Sequence, residues 1–233
     1  MAVLSVKNLC KTYPSFSLKD VSFEIEKGSI MGFIGRNGAG KTTTLKSLLN
    51  LVHPDSGAIE FFGLGLFGNE SKIKQKIGYV VSTDGYYKKK KIKQITDVTK
   101  SFYEFWDEES YRHYMEVFKL DEQKSPSQLS EGMKVKYSIS LALSHKAELL
   151  ILDEPTSGLD PISRAELLDV FCQLRDKGIS ILFSSHITTD LDKCADSITY
   201  IKKGEILFSG KITEIRMSLD DFMLKNEKEE VKL

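Results

Sequence analysis

What the chain lacks narrows its class before any motif is considered. Among its 233 residues there are only three cysteines, Cys10, Cys172 and Cys194. They are odd in number and widely spaced, which excludes a disulfide framework and a thiolate zinc site and reads as reduced cytosolic thiols. Neither sign of charge is in excess, because Lys+Arg and Asp+Glu both number 33. No global field therefore points to nucleic acid or to an anionic membrane surface. No apolar run approaches the roughly 20 residues that cross a bilayer, and the N-terminus has no signal-peptide pattern. Internal repeats are absent. The expectation is a soluble cytoplasmic chain with one substantial core and room for a small inserted unit.

What is present centres on Gly35-Arg36-Asn37-Gly38-Ala39-Gly40-Lys41-Thr42, followed by Thr43 and Thr44. This fits G-x-x-x-x-G-K-[ST], the phosphate-binding loop. Ile30 to Ile34 ahead of it reads as a short buried strand. Leu45, Leu48, Leu49 and Val52 behind it recur at i, i+3, i+4 and i+7, predicting an amphipathic helix. Glycines let successive backbone N–H groups turn inward around a phosphate, and the helix N-terminus adds partial positive charge. Lys41 can reach the β- and γ-phosphates, and the Thr42 hydroxyl can ligate Mg²⁺. The stretch predicts binding of a nucleoside triphosphate.

Around this loop the chain alternates strands and helices. Val3, Leu4, Val6 and Leu9 suggest a first strand, and Val21, Phe23 and Ile25 alternate with Ser22, Glu24 and Glu26 as a half-buried second one. Between them stands Tyr13, whose ring could stack on a base or simply pack; the residues alone leave both open. Ala58 to Gly63 and Ile77 to Val81 read as further strands, with a short helix over 69–76 between them. From Tyr86 to about Ser144 strand alternation disappears. Tyr111, Tyr114, Met115 and Phe118 there form one helical face, read as core. Lys88 to Lys91 is read as a solvated loop. Ser157 to Pro161 opens a helix ending near Lys177-Gly178. A strand from Ile179 to Phe183 leads into Ser184-Ser185-His186, and 198–209 reads as a hairpin. The chain ends in a charged tail from about 220 to 233, of which Asn226 to Leu233 is expected to fray.

Leu149 to Leu152 is a buried strand that runs into Asp153-Glu154. Four apolar residues followed by two acids are costly unless a cation lies opposite. Asp153 can hold a metal, and Glu154 can polarise a water for attack on the γ-phosphate. A histidine is most often structural, but His186 at a strand's end beside a phosphate site stands where a γ-phosphate sensor would.

Leu129-Ser130-Glu131-Gly132-Met133 lies ahead of the acidic strand and resembles the LSGGQ signature of the ATP-binding cassette (ABC) family. With it, the other motifs fall in that family's order over nearly the whole chain. The resemblance implies an α/β fold: a P-loop NTPase core of mainly parallel sheet, an N-terminal antiparallel β subdomain and an inserted α-helical subdomain over about 86–144. By resemblance, Tyr13 is the adenine-stacking aromatic. Gly35, Arg36, Asn37, Gly38, Ala39, Gly40, Lys41, Thr42 and Thr43 are the Walker A loop. Leu149 to Glu154 is the Walker B strand with its catalytic glutamate, Ser157 to Asp160 the D-loop and His186 the switch histidine. Ser130 and Gly132 begin a helix, Glu131 to about His145, whose free N–H groups suit an anion. In this family that signature caps the ATP on a second subunit, paired head to tail. ATP and Mg²⁺ are the cofactors so implied, with Thr42 and Asp153 as metal ligands.

The sequence departs from the family at Ser82, where Gln is usual. Ser82 or Asp84 is then a further candidate metal ligand, directly or through a water. The resemblance is to bacterial export-type subunits, especially Gram-positive peptide and drug exporters. It implies an ATPase held at the inner face of the cell membrane by a separate membrane subunit. Two other functions are weighed. A soluble ABC ATPase acting on ribosomes or DNA normally has two cassettes or a long insertion, and this chain has neither. A regulatory cassette that binds ATP with little hydrolysis is opposed by Glu154 and His186 and favoured by Ser82.

Overall fold

The computed structural model describes residues 1–81 and 89–227. The chain opens with two long antiparallel strands, β1 (Ala2–Tyr13) and β2 (Phe16–Glu26), joined tightly so that Tyr13 faces Phe16. Val21, Phe23 and Ile25 are buried while Glu24 and Glu26 are exposed, as the two-residue period requires. Next come β3 (Ile30–Ile34) and α1 (Lys41–Leu48). This helix is shorter than its apolar spacing predicts. It stops at Leu48, and the Val52 N–H folds back to the Lys46 carbonyl at 3.2 Å. Then follow β4 (Ser56–Phe61), β5 (Leu64–Gly65), α2 (Leu66–Lys74) and β6 (Ile77–Val81). Phe67 and Gly68 are non-helical inside α2, so its regular part starts at Asn69.

Residues 92–144 are helical: α3 (Ile92–Lys100), α4 (Glu108–Val117), a 3₁₀ turn at Pro126–Gln128 and α5 (Glu131–Ser144). They enclose a separate small core that includes Ile92, Ile95, Tyr111, Met115, Tyr137 and Leu141. At its centre the Thr96 hydroxyl lies 3.0 Å from the Tyr111 hydroxyl and 2.9 Å from that of Tyr137, tying three helices together. Two of the contacts that tie this unit to the rest of the chain are especially close. Gly78 of β6 lets α5 approach so closely that a Cβ there would lie 2.4 Å from the Ala142 Cβ. His145, after α5, stacks on Tyr103 at 3.7 Å and places Nδ1 3.1 Å from the Gln75 carbonyl.

The remaining elements are β7 (Leu149–Asp153), α6 (Pro161–Asp176), β8 (Ser180–Ser185), α7 (Thr188–Cys194), β9 (Ser197–Lys202), β10 (Glu205–Lys211) and α8 (Leu219–Glu227). Two sheets result. One is antiparallel, in the order β2-β1-β4-β5. The other runs β10-β9-β3-β8-β7-β6, parallel except for β10 at its edge. The parallel strands are covered on both faces, which is why they read as unbroken apolar runs. Leu149 and Ile151 face the antiparallel sheet and α1, whereas Leu150 and Leu152 face α5 and α6. The architecture is α/β.

The expectation of a fraying tail from Asn226 is corrected at Asn226 and Glu227, which belong to a helix. Helix α8 buries Leu219, sets Phe222 against Tyr200 and Phe208, and accepts the Tyr200 hydroxyl on Glu227 at 2.7 Å. Charge along that stretch hid a helix with one apolar face. Residues 228–233 lie outside the described residues. Among the described residues no helix is long and apolar enough to cross a membrane.

Candidate active site

The site begins where β3 ends. From Gly35 to Gly40 the backbone curls over the strand's end and enters α1 at Lys41. Two glycines are required here. A Cβ at Gly35 would lie 2.4 Å from the Ile201 carbonyl oxygen. Gly40 caps α1 at φ +117°, a conformation that L side chains avoid, and a Cβ there would press into Leu18 and Phe16. The free N–H groups of the helix's first turn then point into the space the loop encloses. That space is a cavity of about 430 Å³, lined by Ser15, Phe16, Arg36, Asn37, Gly38, Gly40, Lys41, Thr42, Thr43 and Glu154.

The acids arrive from β7, two strands away in the same sheet. The Asp153 carboxylate accepts from the Ser184 hydroxyl at 2.7 Å and from the Thr42 hydroxyl at 3.3 Å, both on Oδ1. Ser184 also accepts the Glu154 N–H at 2.9 Å, so one buried hydroxyl of β8 holds both acids. Glu154 takes φ +49°, the left-handed region, in which its side chain turns back over the loop. Its Oε1 lies 3.1 Å from Lys41 Nζ and its Oε2 2.9 Å from His186 Nδ1. Lys41, only 5% exposed, also donates to the Gly35 carbonyl at 2.7 Å. A buried ammonium is tolerable because a carboxylate and a carbonyl both receive it. On β6, burial, and after it the Asp153 charge, raises the Tyr79 hydroxyl above its ordinary pKa. The region is therefore a basic cradle closed on one side by carboxylates.

The structure brings most of the residues singled out in the sequence together. Arg36, Asn37, Gly38, Gly40, Lys41, Thr42, Thr43 and Glu154 share one cavity, and Asp153 and His186 stand directly behind Thr42 and Glu154. Ala39 is buried and backs the loop, its carbonyl receiving the Gly204 N–H at 2.9 Å. Tyr13 is 38% exposed at the end of β1, with the Lys11 ammonium 5.8 Å from its ring. The cavity wall on that side is built by Ser15 and Phe16, across the hairpin from Tyr13. Ser130 and Gly132 do not line this cavity. Ser130 caps α5, accepting the Met133 N–H at 3.3 Å, and Gly132 lies against Leu159 and Ser163 at the start of α6. Ser82 and Asp84 lie outside the described residues.

Three contributors escaped the sequence reading, Ser15, Phe16 and Ser184. The signal for Ser184 was its place after Phe183, which pairs with Leu152 in parallel register and so sets Ser184 level with Asp153. The donor set can be tested for magnesium. The Thr42 hydroxyl and the Asp153 carboxylate converge as hard oxygen ligands, and Mg²⁺ is typically held by one or two such protein groups while keeping several waters and taking phosphate oxygens. The residues fit that ion and a triphosphate.

Comparison with known proteins places this geometry. The family model described as ABC transporter matches residues 18–157. The bacitracin transport ATP-binding protein BcrA of Bacillus licheniformis is 35% identical over 209 residues, covering 88% of this chain and 68% of that protein. The ABC transporter ATP-binding protein YtrB of Bacillus subtilis is 34% identical over 190 residues, covering 81% of this chain and 65% of that one. The chain thus spans about two thirds of the length of these relatives. A solved ATP-binding subunit of an ABC transporter superposes with a TM-score of 0.87 at 30% identity, covering 97% of this chain and 100% of that one.

Proposed function

The chain belongs to the ABC transporter family, and from that premise we propose that it is the ATP-hydrolysing subunit of an exporter. It works through a membrane-spanning partner at the inner face of the cell membrane and pairs head to tail with a second ATP-binding subunit. A peptide or a drug as cargo is supported by the likeness to a bacitracin transport protein. The observation that carries the catalytic reading is the double hold on Glu154, between Lys41 and His186 at the edge of the loop cavity.

Bound MgATP supplies the phosphoryl group and part of the charge neutralisation. The loop N–H groups from Gly38 to Thr42 and the Lys41 ammonium would bind the phosphates, and Thr42 and Asp153 would hold Mg²⁺. Glu154 accepts the proton of the attacking water. His186, bonded to the Glu154 carboxylate, keeps that oxygen aimed and would donate through its other ring nitrogen to a γ-phosphate oxygen. Tyr13 and Phe16 offer aromatic surface on the side where a base would lie. Ser130 and the start of α5, remote from this chain's own loop, close the loop of the second subunit.

The test is phosphate release from ATP by the purified chain and by Glu154→Gln, with recovery of a membrane-spanning protein from detergent-solubilised membranes. Equal release by both forms refutes the role of Glu154. ATP bound without release by the native chain, even with its membrane partner present, favours a regulatory cassette.

A further inference from the structure

Asp190 is a buried carboxylate that the hydrolysis scheme does not use. It stands in the first turn of α7, four residues after His186, and is 1% exposed. Its Oδ1 lies 4.0 Å from Arg164 Nε, while its Oδ2 has no hydrogen-bond partner among the described residues. Arg164 Nε likewise lacks one. The two groups face each other with a donor and an acceptor left over. Arg164 sits in the first turn of α6, directly after the loop 157–160, and its Nη2 donates to the Leu159 carbonyl at 3.4 Å. Asp160 in the same loop caps α6 through the N–H groups of Ile162 and Ser163.

Packing does not account for this pair. Helix α7 is already anchored by Leu191, which fills the space left by Gly32 of β3: a Cβ there would lie 2.2 Å from Leu191 Cδ2. Surface ties between α6 and α7 also exist, with Lys193 2.9 Å from Asp169. An apolar residue at 190 would bury at lower cost than a carboxylate whose partner, Arg164, is itself partly exposed, because desolvation commonly cancels the attraction of such a pair. What a buried charge pair adds over apolar packing is a defined separation and orientation. Here it joins the segment carrying His186 to the loop 157–160, whose Leu159 in turn lies against Gly132 of α5.

We propose that Arg164 and Asp190 are positioning residues for hydrolysis, their charge pair setting the loop 157–160 against the His186 turn. This rests on the reading of His186 given above. The experiment measures kcat, ATP KM and melting temperature for Asp190→Asn, Arg164→Gln, the double variant, Arg164→Lys and His186→Ala. Each neutralising single variant should lower kcat about tenfold or more with KM within about twofold, because binding groups are untouched. The double should be no worse than the poorer single, since one interaction is removed once. Arg164→Lys, which keeps the charge, should recover most of the turnover. A well-folded Asp190→Asn with native kcat, or losses that multiply in the double, overturns the proposal. If a single variant fails to fold, the double decides: native turnover in a folded double means the pair serves stability alone. Native turnover in His186→Ala sinks the reading of His186, whereas an inactive His186→Ala beside an active Asp190→Asn sinks only this inference.

Discussion

Lys41 and Glu154 are joined as an ion pair, Nζ to Oε1 at 3.1 Å, across the edge of the phosphate cavity. The cation that would meet the phosphates and the base that would activate water thus neutralise each other. On the proposed reading, a phosphate entering the loop would compete with Glu154 for Lys41, and its binding would release the carboxylate toward the water. One contact therefore links nucleotide binding to the readiness of the base.

Glu154→Gln removes the charge but keeps the shape. Turnover should fall at least about a hundredfold, the usual scale for a general base. ATP affinity should equal or exceed that of the native chain, because Lys41 no longer has a carboxylate to leave. Equilibrium binding and phosphate release measured on one preparation check both; weaker binding in the variant would contradict the competition.

Lys41→Ala should act on binding itself and leave Glu154 paired only with His186. Mixed with a Ser130→Arg chain, it tests head-to-tail pairing. Each variant alone lacks a complete site, whereas the mixed pair has one loop and one signature intact. Partial ATPase activity is expected only in the mixture. Mixed dimers that neither hydrolyse nor trap ATP would remove the shared site.

Ser184→Ala cuts the hydroxyl that receives the Glu154 N–H and donates to Asp153. Groups that orient metal ligands typically contribute about 10–100-fold in metal affinity or activity. The Mg²⁺ concentration for half-maximal activity should rise by about that factor, with ATP binding little changed. A magnesium titration of the two forms shows it, and superimposed curves would show that Asp153 needs no such support.

His145 supplies the pH dependence. Burial holds its imidazole down at about 4 against an ordinary 6.5. Above pH 6.5 the ring is neutral in the folded and unfolded chain, and stability is unaffected. As pH falls from 6.5 toward 4 the unfolded chain binds a proton that the folded one refuses, so stability is lost. At pH 5 the loss from this residue is about 2 kcal/mol, or roughly 4–8 °C in melting temperature for a chain of this size. His145→Asn, which keeps a donor for the Gln75 carbonyl, should show a smaller drop in melting temperature between pH 7 and pH 5. An equal drop in both forms would place the acid sensitivity elsewhere.

The site was legible in the sequence wherever chemistry demanded adjacent residues. A phosphate loop needs its glycines, lysine and threonine at fixed spacing on one strand-to-helix turn, and Gly35 to Thr42 could be read without coordinates. Asp153 and Glu154 were legible for the same reason, as acids ending an apolar run. The ends of elements were less so. Val52 keeps helical period yet lies past the last turn of α1, and α8 was hidden by its charge. Helix α7 was also missed, being seven residues long with little periodicity to show.

By itself, the sequence marked Gly35 to Thr42 as a phosphate-loop pattern, put two acids at the end of the strand before Pro155, and started a helix at Ser130. Tertiary structure decided who serves whom. Only the strand order β3-β8-β7 brings Ser184 between the loop and the acids. Only the left-handed turn at Glu154 swings its carboxylate between Lys41 and His186. Only the hairpin register sets Phe16 on the cavity wall while Tyr13 stands outside its lining. Local spacing is written by covalent geometry and can be read along the chain. The contacts of Glu154 with Ser184, His186 and Lys41 join residues 30 to 113 positions apart, and the balance of burial, sheet register and charge over the whole molecule sets them.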